Sequence, residues 1–311
     1  MLDGSRNRSV GILALGIRRL FRNRAAMLSL AYVIAVTGIA ILASQIAPYA
    51  FDAQDSEALL KPPSIKHWLG TDDLGRDLLS RLVFGARVSM AVAYVSTFFS
   101  LILGTLYGAV SGYTGGKLDA VMMRVVDVLY SFPDLLLIIL INASINRDWL
   151  DNLLLATHMP WLIRAVSAET LALLIALSLV SWVQVARLIR GEVLRLREEL
   201  YVDAARALGV SHSSIIFRHI LPNTLGPLIV TLTFRIPAVI LAESMLSFIG
   251  LGIQPPKSSW GTLASDGFAA MRFEPHLILF PSLAIFLAML AFNFLGDGLR
   301  DAFDPKLQVR R

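Results

Sequence analysis

Ionisable residues inside apolar stretches are the first candidates for chemistry in this sequence of 311 residues. Arg124, Asp127 and Asp134 lie in one such stretch at spacings of three and seven, so they share one stripe of a straight helix. Arg235 and Glu243 interrupt a second stretch. Buried charges of this kind are costly and mark polar paths, proton sites or structural ion pairs. The pattern predicts either a translocation path or an intramembrane pair in which Arg235 meets Asp127 or Asp134.

Motifs for catalysis by the chain itself are missing. The sequence GGKL at residues 115–118 places Leu118 where a phosphate-binding loop needs a hydroxyl, and there is no HExxH pattern and no cysteine. The adjacent carboxylates Asp72 and Asp73 near His67 would suit a metal, but adjacent acids in a loop are more typical of a turn. We therefore predict no catalytic residue, no metal site and no cofactor in this chain.

Composition predicts the elements that position these charges. The chain is 56% hydrophobic and only 16% charged, whereas soluble domains carry about a quarter charged residues. A spanning helix needs about 20 mostly apolar residues. We predict an all-α polytopic membrane protein with a tail at 1–26, a transmembrane domain at 27–296 and a second tail at 297–311. Its six predicted spans are residues 27–47, 88–113, 118–146, 170–187, 223–248 and 275–296.

The distribution of lysine and arginine predicts the orientation. The two tails, the loop at Lys117 and residues 187–218 together hold 17 basic residues, and the opposite loops hold nine. Cytoplasmic segments carry the excess of basic residues, so both termini and the loop at 190–222 are predicted to be cytoplasmic. Arg76, Arg81 and Arg87 run against this trend, because they fall on the outer side.

The outer loop contains a segment with helical periodicity. Apolar residues recur at helical spacing, and charged residues occupy the opposite side: Leu74, Leu78, Leu82 and Val83 against Arg76, Asp77 and Arg81. This pattern predicts an interfacial amphipathic helix, which either lies on the bilayer surface or contacts a partner.

The cytoplasmic loop carries the stretch EELYVDAARALGVSHSSIIFRHILPN at residues 198–223. Residues 198–208 read as a short helix with one apolar face, formed by Leu200, Ala204, Ala207 and Leu208. Gly209 follows as a left-handed end of that helix, and Ser211 caps a second short helix predicted to end near Pro222. The exposed face is consistent with a docking surface or with an ordinary interfacial helix.

The same loop resembles the EAA loop of ABC-importer permeases. Six positions match the motif in register, although His219 stands where the general pattern has isoleucine: Asp203, Ala204, Ala205, Gly209, Leu221 and Pro222. Further matches are LGTDDLGRDLLSRLVFGARVS, SGYTGGKLDAVMMRVVDVL, LSFIGLGIQPPKSSWGTLASDG and FNFLGDGLRDAFDPK. Together the chain resembles the C-type permease subunit of the dipeptide and oligopeptide importers, a branch that includes nickel permeases.

The resemblance implies a fold, partners and roles. It implies a type I importer permease with a cytoplasmic coupling helix, paired with a second homologous permease. Two cytoplasmic ATPases would bind ATP and magnesium, and the EAA loop would dock on one of them. An extracytoplasmic solute-binding protein would meet the outer loops, where we take Asp72, Arg76 and Trp260 as candidate contacts. The location implied is the bacterial inner membrane.

Two other functions remain open from the residues alone. A self-contained secondary transporter would use the intramembrane carboxylates as proton sites. A membrane receptor or scaffold would use the cytoplasmic helix pair to recruit a partner without transport. The sequence also leaves open whether the solute is a dipeptide, an oligopeptide, nickel or another small molecule.

Overall fold

The computed structural model describes residue 16, residues 19–156 and residues 167–303. Nearly all regular structure in this part of the chain is helical, and one isolated bridge pairs Thr71 with Asp77. The helices are α1 Arg24–Ile41, α2 Ala43–Ile46, α3 Leu78–Thr114, α4 Gly116–Tyr130, α5 Asp134–Ser144, α6 Arg147–Ala156, α7 Ala168–Leu196, α8 Leu200–Ala207, α9 His212–Phe248, α10 Trp260–Ala270 and α11 His276–Phe303. Most of the predicted N-terminal tail and residues 304–311 lie outside the described residues.

Five described helices are long and apolar enough to cross a membrane: α1, α3, α7, α9 and α11. The pair α4 and α5 provides a sixth crossing if the two count as one span. Several helices extend beyond the predicted apolar cores; α3 begins at Leu78 rather than 88, and α7 ends at Leu196 rather than 187. The extra turns contain charged residues, which include Arg81 and Arg87 in α3 and Arg190 and Arg195 in α7.

The predicted third span is broken. A bend of 91° separates α4 from α5, and Pro133 occupies the N-cap position of α5. Proline has no N–H for the helix ladder, and its ring disfavours helical backbone at the preceding residue, here Phe132. The predicted stripe of Arg124, Asp127 and Asp134 on one straight helix is therefore wrong, because Asp134 starts a new helix.

The closest helix packing joins α3 to α7. Gly104, Gly108 and Gly112 recur every four residues on α3 and face α7. A Cβ built on Gly104 would lie 2.7 Å from the carbonyl oxygen of Trp182, and one on Gly112 would lie 2.8 Å from that of Arg190. Small residues at this spacing let two membrane helices approach closely, so the backbones of α3 and α7 form the centre of the fold.

The outer segment before α3 is not the predicted interfacial helix. Residues 67–77 form turns, and Asp77 caps α3 by accepting a hydrogen bond from the backbone N–H of Ser80 at 2.8 Å. Arg76, Asp77 and Arg81 are buried rather than exposed opposite an apolar face. The helical periodicity was misleading because Leu78 and Leu82 belong to the first turns of α3, whereas Leu74 lies in a turn before it.

The helix pair of residues 198–222 also departs from the predicted boundaries. The second helix does not end near Pro222; it continues through a π-helical segment, Ile215–Ile220, into the long helix Leu221–Phe248. The backbone N–H of Leu221 donates to the carbonyl oxygen of Ile216, five residues back. This wider register accommodates the missing N–H of Pro222, and such local π adjustments let proline occur within membrane helices.

Candidate functional site

The first candidate region is helix α8, which the charge distribution predicts to be cytoplasmic, with the turn after it. Val202 and Ala205 are buried and pack in a cluster with Ile215 and Ile220. On the other side Leu200 and Leu208 are 86% and 83% exposed, and Ala204 and Ala207 are exposed between them. The predicted apolar face is therefore open to solvent, while a separate apolar face fixes the helix to the rest of the chain.

The end of α8 is a Schellman motif. The backbone N–H of Gly209 donates to Arg206 at 3.0 Å, and that of Val210 donates to Ala205 at 3.1 Å. Gly209 has a φ of 75°, which confirms the predicted left-handed conformation. A Cβ added to Gly209 would meet nothing within 4 Å. The glycine is needed for its backbone conformation, and the space beside it is open.

Side-chain contacts tie α8 to the π-helical segment. The Tyr201 hydroxyl lies 3.5 Å from the carbonyl oxygen of His219, and Asn223 donates to the same oxygen at 2.6 Å. Burial raises the pKa of the Tyr201 hydroxyl, so it stays protonated and able to donate. Ser211 occupies the predicted N-cap position, but its hydroxyl makes no capping bond. The exposed residue Asp203 pairs with Arg206 at 2.9 Å within α8.

The second region is a polar ladder between the broken span and α7. Its three rungs are Asp119 with Arg190, Asp127 with Arg187, and Asp134 with Gln184. The α7 members are three residues apart, so they lie along one side of that helix. Sequence reasoning missed the α7 members, although the recurrence of polar residues at 184, 187 and 190 was a signal for them.

The three pairs differ in how deeply they are buried and in whether an arginine contacts the aspartate directly. Asp119 is 7% exposed and accepts two hydrogen bonds from Arg190, at 2.8 and 2.6 Å. The Arg187–Asp127 bond is 2.6 Å long but exposed, and the guanidinium lies 4.0 Å from the centre of the Tyr130 ring. In the third rung the Gln184 amide lies 3.5 Å from the carboxylate of Asp134. The Asp119–Arg190 pair thus holds α4 against α7, whereas the other two pairs border open space.

Arg235 does not form the predicted direct pair with Asp127 or Asp134. Its Nη1 donates to Oε1 of Gln184 at 2.6 Å, so an amide separates the guanidinium from the carboxylate of Asp134. Asp127 is taken by Arg187 instead. The predicted pairing failed because it assumed a straight third span, and the bend redirects α5. Arg124 is exposed, and none of the hydrogen bonds or ion pairs found in the described residues involves it.

Glu243 lies apart from this ladder. It is fully buried and accepts hydrogen bonds from the hydroxyls of Ser89 and Ser247, at 3.0 and 2.8 Å. Ser89 in turn accepts from the backbone N–H of Trp260 at 3.2 Å, so the carboxyl links α3, α9 and the start of α10. Glu243 therefore holds these three helices together and does not line an open path.

The predicted outer contacts Asp72, Arg76 and Trp260 are buried, at 4%, 7% and 2% exposure. Asp72 accepts from Arg76 at 2.7 Å and from Arg81 at 2.5 Å, and Trp260 donates to the carbonyl oxygen of Leu82 at 3.1 Å. We correct the prediction: these side chains fix the outer loops and are not presented to a partner. A cavity of about 520 Å³ opens beside Asp72 and Arg76.

Around that cavity the exposed charges are different residues. The side chains of Asp73 and Asp266 are 72% and 48% exposed, and both line the cavity. Arg81 lies 3.3 Å from Asp266 and so joins α3 to α10 beneath the rim. No group of three or more residues in the described ranges could hold a metal ion.

A nearly all-helical chain whose described part has five helices, or six crossings with the bent pair, long and apolar enough to cross a membrane defines the class: a polytopic membrane protein. The comparisons give the same class. The model of the binding-protein-dependent transport system inner membrane component matches residues 104–309, and that of the N-terminal TM domain of oligopeptide transport permease C matches residues 13–63. The chain belongs to the family of binding-protein-dependent transport system inner membrane components.

Similar proteins cover most of the chain. It is 37% identical to the oligopeptide transport system permease protein OppC of Bacillus subtilis over 92% of its length and 87% of that protein. It is 39% identical to the dipeptide permease DppC of the same organism, with 94% and 85% covered. It is 40% identical to the glutathione permease GsiD of Escherichia coli, with 94% and 89% covered.

A solved structure shares the fold. A chain of the methionine ABC transporter MetNI in an inward-facing conformation superposes with a TM-score of 0.52, covering 73% of this chain and 96% of that one at 18% identity. The predicted fold class is therefore confirmed. The chain is an ABC-importer permease subunit and not an enzyme, in agreement with its relatives.

Proposed function

We propose that this chain forms half of the translocation path for short peptides in an ATP-driven importer. The names of its relatives support a peptide substrate, because they include oligopeptide, dipeptide and glutathione permeases. The polar ladder supports a path, since charges at membrane depth must face protein or water rather than lipid. Asp127, Asp134, Gln184 and Arg235 are the path residues on this side, and a second, homologous permease supplies the other half.

The exposed face of α8 carries the proposal for coupling. Two leucines that are more than four-fifths exposed, with alanines between them, form an apolar surface on a helix that is itself firmly packed. Such a surface on a cytoplasmic element marks a protein interaction site. Its partner is one of two cytoplasmic ATPases, which bind the ATP and magnesium that this chain has no motif to hold. Closure of the ATPase pair then displaces α8 and reorients the spans.

The other partners follow from the outer side and the membrane. An extracytoplasmic solute-binding protein meets the outer loops, where Asp73 and Asp266 replace Asp72, Arg76 and Trp260 as our candidate contacts. Their acidic rim is suited to a basic patch on that protein. The chain resides in the bacterial inner membrane among lipids, with both termini and α8 in the cytoplasm.

A test of coupling uses Leu208→Glu in the complete four-subunit complex. Leu208 makes no buried contact within the chain, so the variant should insert and fold normally. Burial of a leucine stabilises an interface by about 1.5–3 kcal/mol, so its replacement by a charge should weaken ATPase attachment at least ten-fold. The measurements are ATPase co-purification, ATP hydrolysis and peptide uptake in vesicles.

A matched control is Ile65→Glu, which alters an outer-loop residue that is 95% exposed. It should leave ATPase attachment unchanged in detergent. Equal attachment in both variants would refute docking through α8. Peptide uptake that needs a proton gradient but no ATPase would favour a secondary transporter, and ATPase attachment without uptake of any solute would favour a scaffold.

A further inference from the structure

A charge pair held apart by an amide lies at mid-membrane depth. Arg235 is 14 residues after Leu221 and 13 before Phe248, so it sits near the middle of the α-helical part of α9, between Pro227 and Pro237. Gln184 contacts Arg235 on one side and Asp134 on the other, at 2.6 and 3.5 Å. A planar amide spans about 2.2 Å between its oxygen and nitrogen, so the guanidinium and the carboxylate are at most about 8 Å apart.

The Asp134–Gln184 contact differs from the other two pairs because it leaves charged groups that can still bind a ligand. Asp119 and Asp127 meet arginines directly, which neutralises each charge in place. Arg235 has no carboxylate within ion-pair distance among the described residues, and its buried Nε has no hydrogen-bond partner. A guanidinium can bind both oxygens of a carboxylate, and it does so strongly when water is excluded. The arrangement therefore leaves a cation and an anion available to a ligand.

The surrounding surface is open to the side where a partner permease and a path belong. Arg235 borders an exposed stripe of α9 that contains Ala238, Leu241 and Met245. Asp134 is exposed at the first residue of α5, directly after the bend. Lipid would make exposure of the Asp134 carboxylate costly, so the surface around Asp134 faces protein or water.

The separation of the two charges corresponds to a short zwitterion. An extended chain advances about 3.3–3.6 Å per residue, so the ammonium and carboxylate of a dipeptide are about 7 Å apart. We infer that Asp134, Gln184 and Arg235 form a zwitterion subsite in which Asp134 binds the terminal ammonium of a dipeptide and Arg235 binds its terminal carboxylate. This inference rests on the proposed peptide transport. Gln184 fixes the spacing and keeps the two charges from collapsing onto each other.

A comparison of dipeptide and tetrapeptide uptake distinguishes peptide binding by Asp134 and Arg235 from a purely structural role of these residues. In a tetrapeptide the termini are about 14 Å apart when extended, so one molecule in that form cannot contact both charges. Arg235→Gln and Asp134→Asn should each slow dipeptide uptake about ten-fold and tetrapeptide uptake three-fold or less. Asp127→Asn is the matched control, because it removes a carboxylate from the neighbouring rung; it should affect both lengths equally. Uptake is measured in vesicles containing the complete complex with its solute-binding protein.

Peptides with an acetylated N-terminus show which residue binds which end of the dipeptide. Asp134→Asn should no longer slow transport of an N-acetylated dipeptide, whereas Arg235→Gln should still do so. The affinity of the solute-binding protein for each peptide is measured separately and is common to all variants, so variant-to-wild-type ratios isolate the permease. Arg235→Lys keeps the positive charge and should restore part of the dipeptide rate. If Arg235→Gln fails to assemble, the exposed residue Asp134 carries the test.

Equal slowing of dipeptide and tetrapeptide by Arg235→Gln and Asp134→Asn would overturn the subsite and leave only a structural role. An N-acetylated dipeptide that is still slowed by Asp134→Asn would also overturn it. Failure of the wild-type complex to transport any peptide would refute the proposed function instead, so the two failures are distinguishable.

Discussion

Replacement of Gly209 tests how the end of α8 works. The residue has a φ of 75°, where an L-residue with a Cβ costs about 1–2 kcal/mol and a β-branched one costs more. The Schellman bonds at 3.0 and 3.1 Å depend on this conformation, and each contributes about 1 kcal/mol. We expect Gly209→Val to destabilise the turn by about 2 kcal/mol, which lowers the equilibrium constant for forming the turn about 30-fold.

The rest of the subunit should tolerate this change. A Cβ at position 209 meets no atom within 4 Å, and no spanning segment is altered, so membrane insertion and thermal stability should be near normal. Attachment of the ATPase and coupling of hydrolysis to uptake should fall. Both are measured on the purified complex in vesicles, alongside hydrogen exchange of the amides of residues 205–210.

Two controls separate backbone strain from a partner's approach. Asparagine tolerates the left-handed region, so Gly209→Asn should retain the turn and most of the coupling if strain is the cause. If asparagine fails as badly as valine, a partner surface touches the backbone here. Gly250→Val alters a glycine with φ 82° and equal free space on the outer side, and it should leave ATPase attachment unchanged. Normal coupling in Gly209→Val would refute the reasoning.

Three further predictions concern stability and orientation. Asp119→Asn removes the charge partner of Arg190, and that arginine is about one third exposed. We therefore expect the free energy of unfolding to fall by about 1–3 kcal/mol, measured as a lower Tm. Substitutions at Asp127 or Asp134 should not change the size of this loss. Gly104→Val should prevent α3 from packing on α7 and abolish folded protein in detergent, whereas Gly191→Val, where a Cβ meets nothing within 4 Å, should fold. Accessibility tags at both termini and within 195–215 should react from the cytoplasm and a tag within 52–66 from outside; an external tag at 205 would contradict the coupling role.

Local features were predictable from the sequence. The apolar stretches indicated the spanning helices, and the spacing of Leu200, Ala204 and Leu208 indicated the exposed face of α8. Gly209 was predicted because a helix end that reverses direction needs a left-handed residue, and that requirement depends only on neighbours in the chain. The membrane class followed from composition, which does not depend on how the helices pack.

The partners of the charged residues were not predictable. Arg76, Arg81 and Arg87 run against the charge bias on the outer side, yet the first two bind Asp72 and the third donates to the carbonyl oxygens of Ala40 and Ile41 at the end of α1. The Arg87 contacts join segments 47 and 46 residues apart, and the Asp72 contacts form in an irregular turn, so helical periodicity carries no information on either. The bend at Pro133 had a local cause, but its angle is set by packing. Gln184 was overlooked because it is uncharged, so that only its spacing to Arg187 and Arg190 marked it.

The unbroken passage of the π-helical segment into α9 has a mechanical consequence. His212–Phe248 is one helix of 37 residues, about 55 Å long, with α8 attached at one end and Arg235 part of the way along. Such a helix can tilt as one body, so its two ends move by different distances. If it pivots near Phe248, a tilt of about 10° moves the α8 end by about 10 Å but moves Arg235 by only about 3–4 Å. A large movement of α8 is thereby reduced to a displacement of Arg235 about the length of one hydrogen bond, enough to separate Arg235 from Gln184.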